Sequence, residues 1–164
     1  MRRVVSNTSP LTNLAAIGQL HLLQALFGQI DIAQAVWDEL NADGRSWPGR
    51  DEVARSTWIR RQAPKNRALI RALQRDLDPG ESESIALAVE LGTDLILLDE
   101  QDGRRLAQQQ GLKPMGVVGV LLLSKQRSML QTVRPCLDAL RTDAGFWLSD
   151  SVYRLALQKA GESP

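Results

Sequence analysis

Oxygen-bearing side chains follow the two most strand-like segments of the sequence. Asn7 comes directly after Val4, Val5 and Ser6, and Asp99 directly follows the apolar run at 95–98. A run without polar alternation is typical of a parallel strand that is covered on both faces. Open parallel sheets bind their ligands outside the carboxyl ends of the strands. The pattern therefore indicates a polar site at the carboxyl ends of these two strands.

Further carboxylates share a place near predicted helix starts or just beyond Asp99: Glu39, Glu81, Glu83, Glu100 and Asp102. A set of oxygen ligands without cysteine or histidine suits a hard divalent cation, Mg²⁺ or Mn²⁺. Such a cation lowers the pKa of water and offsets charge on a phosphate, which is the chemistry of phosphodiester hydrolysis. We therefore expect these acids to form a metal site, provided that the fold brings them together.

Each candidate also has a structural alternative. Acids in the first turn of a helix, such as Glu81 and Glu83, stabilise its dipole by about 0.3–1 kcal/mol. The alternative for Asp99 is a cap on the following helix, and for Asn7 a hydrogen bond to the backbone of its own turn. Glu39 is equally consistent with a solvated helix residue. Ordinary loop acids are the alternative for the two remaining residues, Glu100 and Asp102.

Basic side chains are concentrated in one part of an otherwise balanced chain. The net charge is +1, whereas residues 45–75 carry nine basic and two acidic side chains, a net +7. A concentrated basic face is typical of a nucleic-acid binder, and a solvated helix face is the alternative. Arg67, Arg71 and, beside Asp99, Arg104 are the candidate phosphate contacts. Trp47, in a loop rich in proline and glycine, is the one tryptophan considered as a base-stacking candidate.

Length and composition are those of one soluble domain. The chain has 164 residues, and we expect a single domain over residues 1–161 with a flexible tail at 162–164. One cysteine excludes an intrachain disulfide, which fits a reducing cytoplasm. No signal peptide or membrane-spanning run is predicted. No glycine-rich loop follows the first strand, which disfavours a dinucleotide site.

Short apolar runs alternate with helical segments along the whole sequence, which predicts a parallel sheet with helices on both faces. We therefore expect an α/β fold, a three-layer α/β/α sandwich with a central, mostly parallel sheet. Ser9 and Pro10 are predicted to start the first helix, and a helix is predicted over 66–77. Asp78, Pro79 and Gly80 are predicted to form a turn before a helix at 81–91, and residues 146–148 a last short strand.

Three segments together resemble the PIN-domain superfamily, and in particular a prokaryotic branch often found beside small antitoxin-like proteins. They are VVSNTSPLTNLAAIGQL, VWDEL and PGESESIALAVELGTDLILLDEQDGRRLA. The resemblance implies a three-layer fold and a metal-dependent ribonuclease that uses Mg²⁺ or Mn²⁺. It also implies RNA as substrate, a toxin role with a small antitoxin protein as partner, and a homodimer.

The resemblance assigns the family's acidic positions one by one. The first is Asn7, the second Glu39, the third Glu81 with Glu83 as its rival, and the fourth Asp99. A further position falls on Asp102 or Glu100, and the small hydroxyl residues after the first position are Thr8 and Ser9, which we expect to contact substrate. Asn7 departs from the pattern because an amide ligates Mg²⁺ without charge. The protein is therefore expected to be a nuclease with three remaining carboxylates, or a module that binds RNA or a protein without cleaving.

Overall fold

A computed structural model describes residues 3–42 and 44–163. Its centre is a five-stranded sheet in which every pairing is parallel, with the order β3-β2-β1-β4-β5. The strands are β1 (Val4–Ser6), β2 (Ile30–Ala33), β3 (Ile59–Gln62), β4 (Leu95–Leu97) and β5 (Lys113–Met115). The predicted α/β class is confirmed, and the sheet is parallel throughout the described residues.

Ten helices connect or flank these strands in the described residues. They are α1 (Thr8–Ala16), α2 (His21–Phe27), α3 (Gln34–Leu40), α4 (Arg50–Arg55), α5 (Arg67–Leu73), α6 (Pro79–Leu91), α7 (Gln101–Gln109), α8 (Val117–Gln126), α9 (Arg134–Thr142) and α10 (Asp150–Lys159). Helix α6 contacts β1, β2 and β4, with α5 and α7 beside it, whereas α1, α2 and α8 to α10 contact one another. These two groups form the outer layers of the predicted sandwich.

The centre of the sheet places the carboxyl ends of β1 and β4 side by side. Val5 lies opposite both Asp31 of β2 and Ile96 of β4, and all side chains of β1 and β4 are buried. The backbone N–H of Asn7 donates to the Leu97 carbonyl at 2.9 Å, which extends the pairing beyond β1. The residues that follow these two strands therefore start from one place in the fold.

The starts of two helices differ from the prediction. Asp78, Pro79 and Gly80 do not form a turn; α6 begins at Pro79, with Asp78 as its N-cap. The Asp78 side chain accepts the Glu81 N–H at 2.8 Å, and proline is favourable at a first helical position. Helix α1 begins at Thr8, so that its N-cap is Asn7 and not Ser9.

Two further segments differ from the prediction. No strand forms at 146–148 in the described residues; the Phe146 N–H donates to Leu140, and Trp147 is 83% exposed. The helix predicted over 66–77 ends at Leu73, and α4 was not predicted.

Both ends of the chain bear on the predicted domain limits. The described residues leave out Met1, Arg2 and Asp43 of the predicted domain and Pro164 of the predicted tail. Glu162, within the predicted tail, accepts hydrogen bonds from the N–H groups of Val133 and Arg134. Among the described residues, every helix is too short or too polar to cross a membrane.

Candidate metal and nucleic-acid site

Three oxygen atoms from three separate elements surround the start of α6. A Cβ atom added to Gly80 would lie 3.2 Å from Glu39 Oε2, 3.3 Å from Asn7 Oδ1 and 3.5 Å from Asp78 Oδ1. These side chains come from α3, the end of β1 and the N-cap of α6. Because Gly80 has no side chain, the space between the oxygens stays open.

Asn7 is the residue in this group whose hydrogen bonding is incomplete. Its side chain is only 5% exposed, and its Oδ1 atom is buried without a hydrogen-bond partner among the described residues. A buried acceptor left without a donor costs about 1–3 kcal/mol. Although Asn7 is the N-cap of α1, its side chain makes no capping bond. The structural alternative, in which the amide binds the backbone of its own turn, is therefore wrong for Oδ1.

The hydroxyl groups of two consecutive residues, Thr8 and Ser9, donate hydrogen bonds to two of the predicted site carboxylates. Thr8 Oγ1 donates to Glu39 Oε2 at 2.8 Å, and Ser9 Oγ donates to Asp99 Oδ2 at 3.5 Å. Thr8 and Ser9 were predicted to contact substrate; in the structure their hydroxyls are engaged with protein carboxylates. The first turn of α1 therefore fixes Glu39 and Asp99 relative to each other.

Asp99 also anchors the start of a helix. Its Oδ1 atom accepts the N–H of Val117, the first residue of α8, at 2.8 Å. Asp99 thus caps α8 and not α7, whose N-cap is Glu100. Burial raises the pKa of Asp99 above its usual value, against the lowering effects of the Val117 bond and the nearby Arg104. Arg104 itself donates to the Leu98 carbonyl at 3.1 Å, beside Asp99.

Glu81 and its rival Glu83 have different partners. Glu81 forms a capping box with Asp78 and is 7% exposed. Burial, followed by repulsion from the Asp78 carboxylate, raises the pKa of Glu81 from 4.5 to about 7. Glu83 Oε1 accepts the N–H of Ala35 at 3.0 Å and so ties α6 to α3.

The raised pKa of Glu81 predicts a pH-dependent stability. Between about pH 4.5 and 7 the folded chain holds a proton that the unfolded chain releases, so wild-type stability falls as pH rises through this window. Gln at position 81 keeps the capping box without charge. We expect Glu81→Gln to raise the free energy of unfolding by about 1–3 kcal/mol at pH ~8, and by almost nothing at pH ~4. Urea denaturation at both pH values measures this, and an equal difference at both would contradict it.

A cavity of about 140 Å³ opens beside these groups. It is lined by Asn7, Thr8, Ser9, Thr12, Glu39, Trp47, Asp78 and Glu100. A second cavity, of about 460 Å³, shares Glu39 and Asp78 with it and adds Asp38 and Glu83. Together they form an acidic groove across Gly80. Asp99 and Glu81 line neither of these two cavities.

The remaining predicted site residues lie apart from the groove. The side chain of Asp102 is 72% exposed and pairs with Arg105 at 4.0 Å, so it is Glu100 that reaches the cavity. Arg67 and Arg71 are exposed on α5 and line neither cavity. Asp78 was missed by the sequence analysis, although an acid directly before proline and three residues before a glutamate is a helix-start signal.

The residues around Gly80 suit a hard divalent cation only if the amide takes part. Among residues 3–42 and 44–163, no three acidic, histidine or cysteine side chains converge closely enough to hold a metal ion. Two carboxylates and one amide do converge, and the unpartnered Asn7 oxygen needs a positive group or a donor. All three ligand atoms are oxygens, which Mg²⁺ and Mn²⁺ prefer. The site therefore fits either ion, with Asn7 as a neutral ligand.

Comparison with known proteins agrees with the fold. No curated protein matches the chain. The profile of a PIN-domain family, DUF3368, matches residues 3–162, which is nearly the whole sequence. The chain belongs to the DUF3368 family of PIN domains.

Proposed function

We propose that this protein is a Mg²⁺- or Mn²⁺-dependent endoribonuclease. The observation that carries the proposal is the buried, unpartnered Asn7 Oδ1, which faces the same open space as the oxygens of Glu39 and Asp78. Membership of a PIN-domain family supports a nuclease-type fold. Asn7 thus replaces a charged ligand without removing the oxygen atom that a cation needs.

The side chains of the site have two proposed roles, holding the cation and positioning the residues that hold it. Asn7, Glu39 and Asp78 would hold the cation, and Thr8 keeps Glu39 in place. A bound divalent cation lowers the pKa of water and offsets charge on the phosphate. Asp99 holds Ser9, and with it the first turn of α1 beside Asn7.

The charge of the groove makes a cation necessary for RNA binding there. Asp38, Glu39, Asp78, Glu83 and Glu100 line the two cavities and repel a polyanion. The exposed arginines of α5 line neither cavity and would supply attraction at longer range. We therefore expect RNA affinity at the groove to depend on the divalent cation, and on ionic strength through the basic segment.

A cleavage assay tests the proposal. Purified protein is incubated with structured and single-stranded RNA in Mn²⁺, in Mg²⁺ and in chelator. We expect cleavage with either metal and none with chelator. Cleavage that persists in chelator, or no cleavage of any RNA with metal, would contradict a metal-dependent nuclease.

A second candidate function is an RNA- or protein-binding module that has lost catalysis. It is favoured by the lack of three converging carboxylates in the described part of the chain. It predicts salt-sensitive RNA binding without cleavage, and a gain of metal-dependent cleavage in Asn7→Asp. Family membership supports two further proposals: that the nuclease is the toxin of a toxin–antitoxin pair with a small antitoxin protein as partner, and that it forms a homodimer.

A further inference from the structure

Among the described residues of the segment between α3 and α4, Trp47 lines the smaller cavity. The indole of Trp47 packs against the core, and its Nε1 atom is buried without a hydrogen-bond partner among the described residues. Asn7, whose buried Oδ1 is likewise unpartnered among the described residues, lines the same cavity. One buried donor and one buried acceptor therefore lie unsatisfied around one small space. Each of these two groups destabilises the folded state unless a ligand supplies the missing hydrogen-bond partner.

The hydroxyl donors of this cavity already have acceptors in the protein. Thr8 donates to Glu39, Ser9 to Asp99, and Thr12 Oγ1 to the Ser9 carbonyl at 3.2 Å. The remaining acidic side chains only accept when ionised. The buried Trp47 indole N–H thus has no acceptor among the described residues, next to a cavity lined mainly by acceptors.

The surroundings of the ring argue against base stacking. The Arg45 guanidinium lies over the Trp47 ring, 5.2 Å from its centroid, and occupies the face that a base would use. The rest of the indole packs against the hydrophobic core. Its N–H edge is therefore the part that is suited to a ligand.

The backbone holds Trp47 in place beside α1. Gly49 has φ +83°, and a Cβ atom there would lie 2.6 Å from the Ala15 Cβ atom, so only glycine permits this close approach. The Trp47 carbonyl accepts the Arg50 N–H at 3.2 Å. Residues 47–49 are thus fixed against α1, the helix that carries Thr8 and Ser9.

We propose that Trp47 binds a phosphate group of the RNA strand, by donating its indole N–H to a non-bridging phosphate oxygen; this inference rests on the proposed function. A neutral donor suits this position because it forms no ion pair with Glu39 or Asp78, whose charges remain available to the cation. The Arg45 charge, held on the same ring, favours the anion from outside the cavity. Trp47 is a substrate-positioning residue, and Asn7 faces the cation in the same cavity.

NMR spectroscopy of ¹⁵N-labelled wild-type protein in Mg²⁺ gives a direct readout. The chain has four tryptophans, and Trp47→Phe identifies the Trp47 indole N–H signal by its loss. The first probe is inorganic phosphate, which is not hydrolysed, and the second is single-stranded RNA. We expect the Trp47 signal to shift more than the other three with both probes. A signal that stays in place at saturating RNA would overturn the proposal.

Substitution gives an independent measurement. Trp47→Phe keeps an aromatic ring under Arg45 and removes the N–H; we expect about tenfold weaker RNA binding, or a KM raised by that factor with kcat little changed. Trp58→Phe is the matched control, because Trp58 is also half-buried but lines a different cavity. Normal binding by Trp47→Phe with loss in Trp47→Leu would mean ring packing and overturn the N–H role. If Trp47→Phe does not fold, the Trp47 indole signal of the wild-type protein is identified by replacing the other three tryptophans in turn. The titration of the wild-type protein then decides.

The outcomes separate this inference from the nuclease proposal. A shifted Trp47 signal and weaker binding by Trp47→Phe, without cleavage in any metal, would keep phosphate binding and reject the nuclease. Metal-dependent cleavage with an unmoved signal and an unchanged KM in Trp47→Phe would keep the nuclease and reject the role of Trp47.

Discussion

Asp99→Asn is expected to lower metal-dependent RNA cleavage by about 10- to 100-fold while the fold stays intact. Asparagine keeps an oxygen that accepts the Val117 N–H, so the cap of α8 survives. What is lost is the negative charge and the hydrogen-bond acceptor for Ser9, which holds the first turn of α1 beside Asn7. The measurements are kcat/KM on one RNA substrate and the free energy of unfolding by urea.

Asp102→Asn is the matched control for this prediction. It makes the same chemical change three residues away, at a side chain that is 72% exposed and pairs with Arg105 at 4.0 Å. We expect its cleavage rate to stay within about twofold of wild type, because surface ion pairs contribute little. Equal loss in both variants would show that general charge, and not the position of Asp99, governs the rate. Equal activity of wild type and Asp99→Asn would show that the site is wrongly assigned.

Gly80→Ala is expected to separate stability from metal binding. Alanine favours a helix by up to about 1 kcal/mol over glycine, and Gly80 lies in the first turn of α6. The new Cβ atom would crowd Glu39 Oε2 at 3.2 Å and Asn7 Oδ1 at 3.3 Å, and would be in ordinary contact with Asp78 Oδ1 at 3.5 Å. These side chains can move apart in the metal-free protein, but the movement widens the site. We therefore expect equal or higher stability without metal and at least about tenfold weaker Mn²⁺ affinity.

Thermal or urea unfolding with and without Mn²⁺ measures this separation. Ligand at 100 times its dissociation constant stabilises the folded state by about 2.7 kcal/mol, and a tenfold weaker affinity removes about 1.4 kcal/mol of that. Gly92→Ala is the comparison for a glycine with open space but with φ +67°, where alanine costs stability without affecting metal binding. Undiminished Mn²⁺ stabilisation of Gly80→Ala would place the cation elsewhere.

The sequence alone was sufficient for the central part of the fold. The apolar runs before Asn7 and Asp99 predicted β1 and β4, because strands buried on both faces have no other pattern available. The parallel sheet then followed from the alternation of strands and helices. The sequence therefore placed Asn7 and Asp99 at the carboxyl ends of strands, whereas the adjacency of β1 and β4, which brings these ends together, is seen in the sheet order.

The details of the site depended on contacts between distant segments. Asp78 is the exception, because its predicted turn is wrong although the proline after it and the glutamate three residues later are a local signal of a helix start. Trp47 joins the cavity because Gly49 lets its loop approach Ala15, and no local pattern encodes that distance. Likewise, the different roles of Glu81 and Glu83 are seen in their contacts: Glu81 closes the capping box, and Glu83 accepts the N–H of Ala35 in α3.

The outermost strands, β3 and β5, carry side chains that oppose the addition of another strand. In β3, Arg60 and Arg61 are exposed, and in β5 Pro114 has no backbone N–H to offer and follows the exposed Lys113. Charges and proline at such borders are the means by which β proteins avoid sheet extension and aggregation. Two copies of this chain are therefore not expected to continue one another's sheet, and the proposed homodimer must join through its helices.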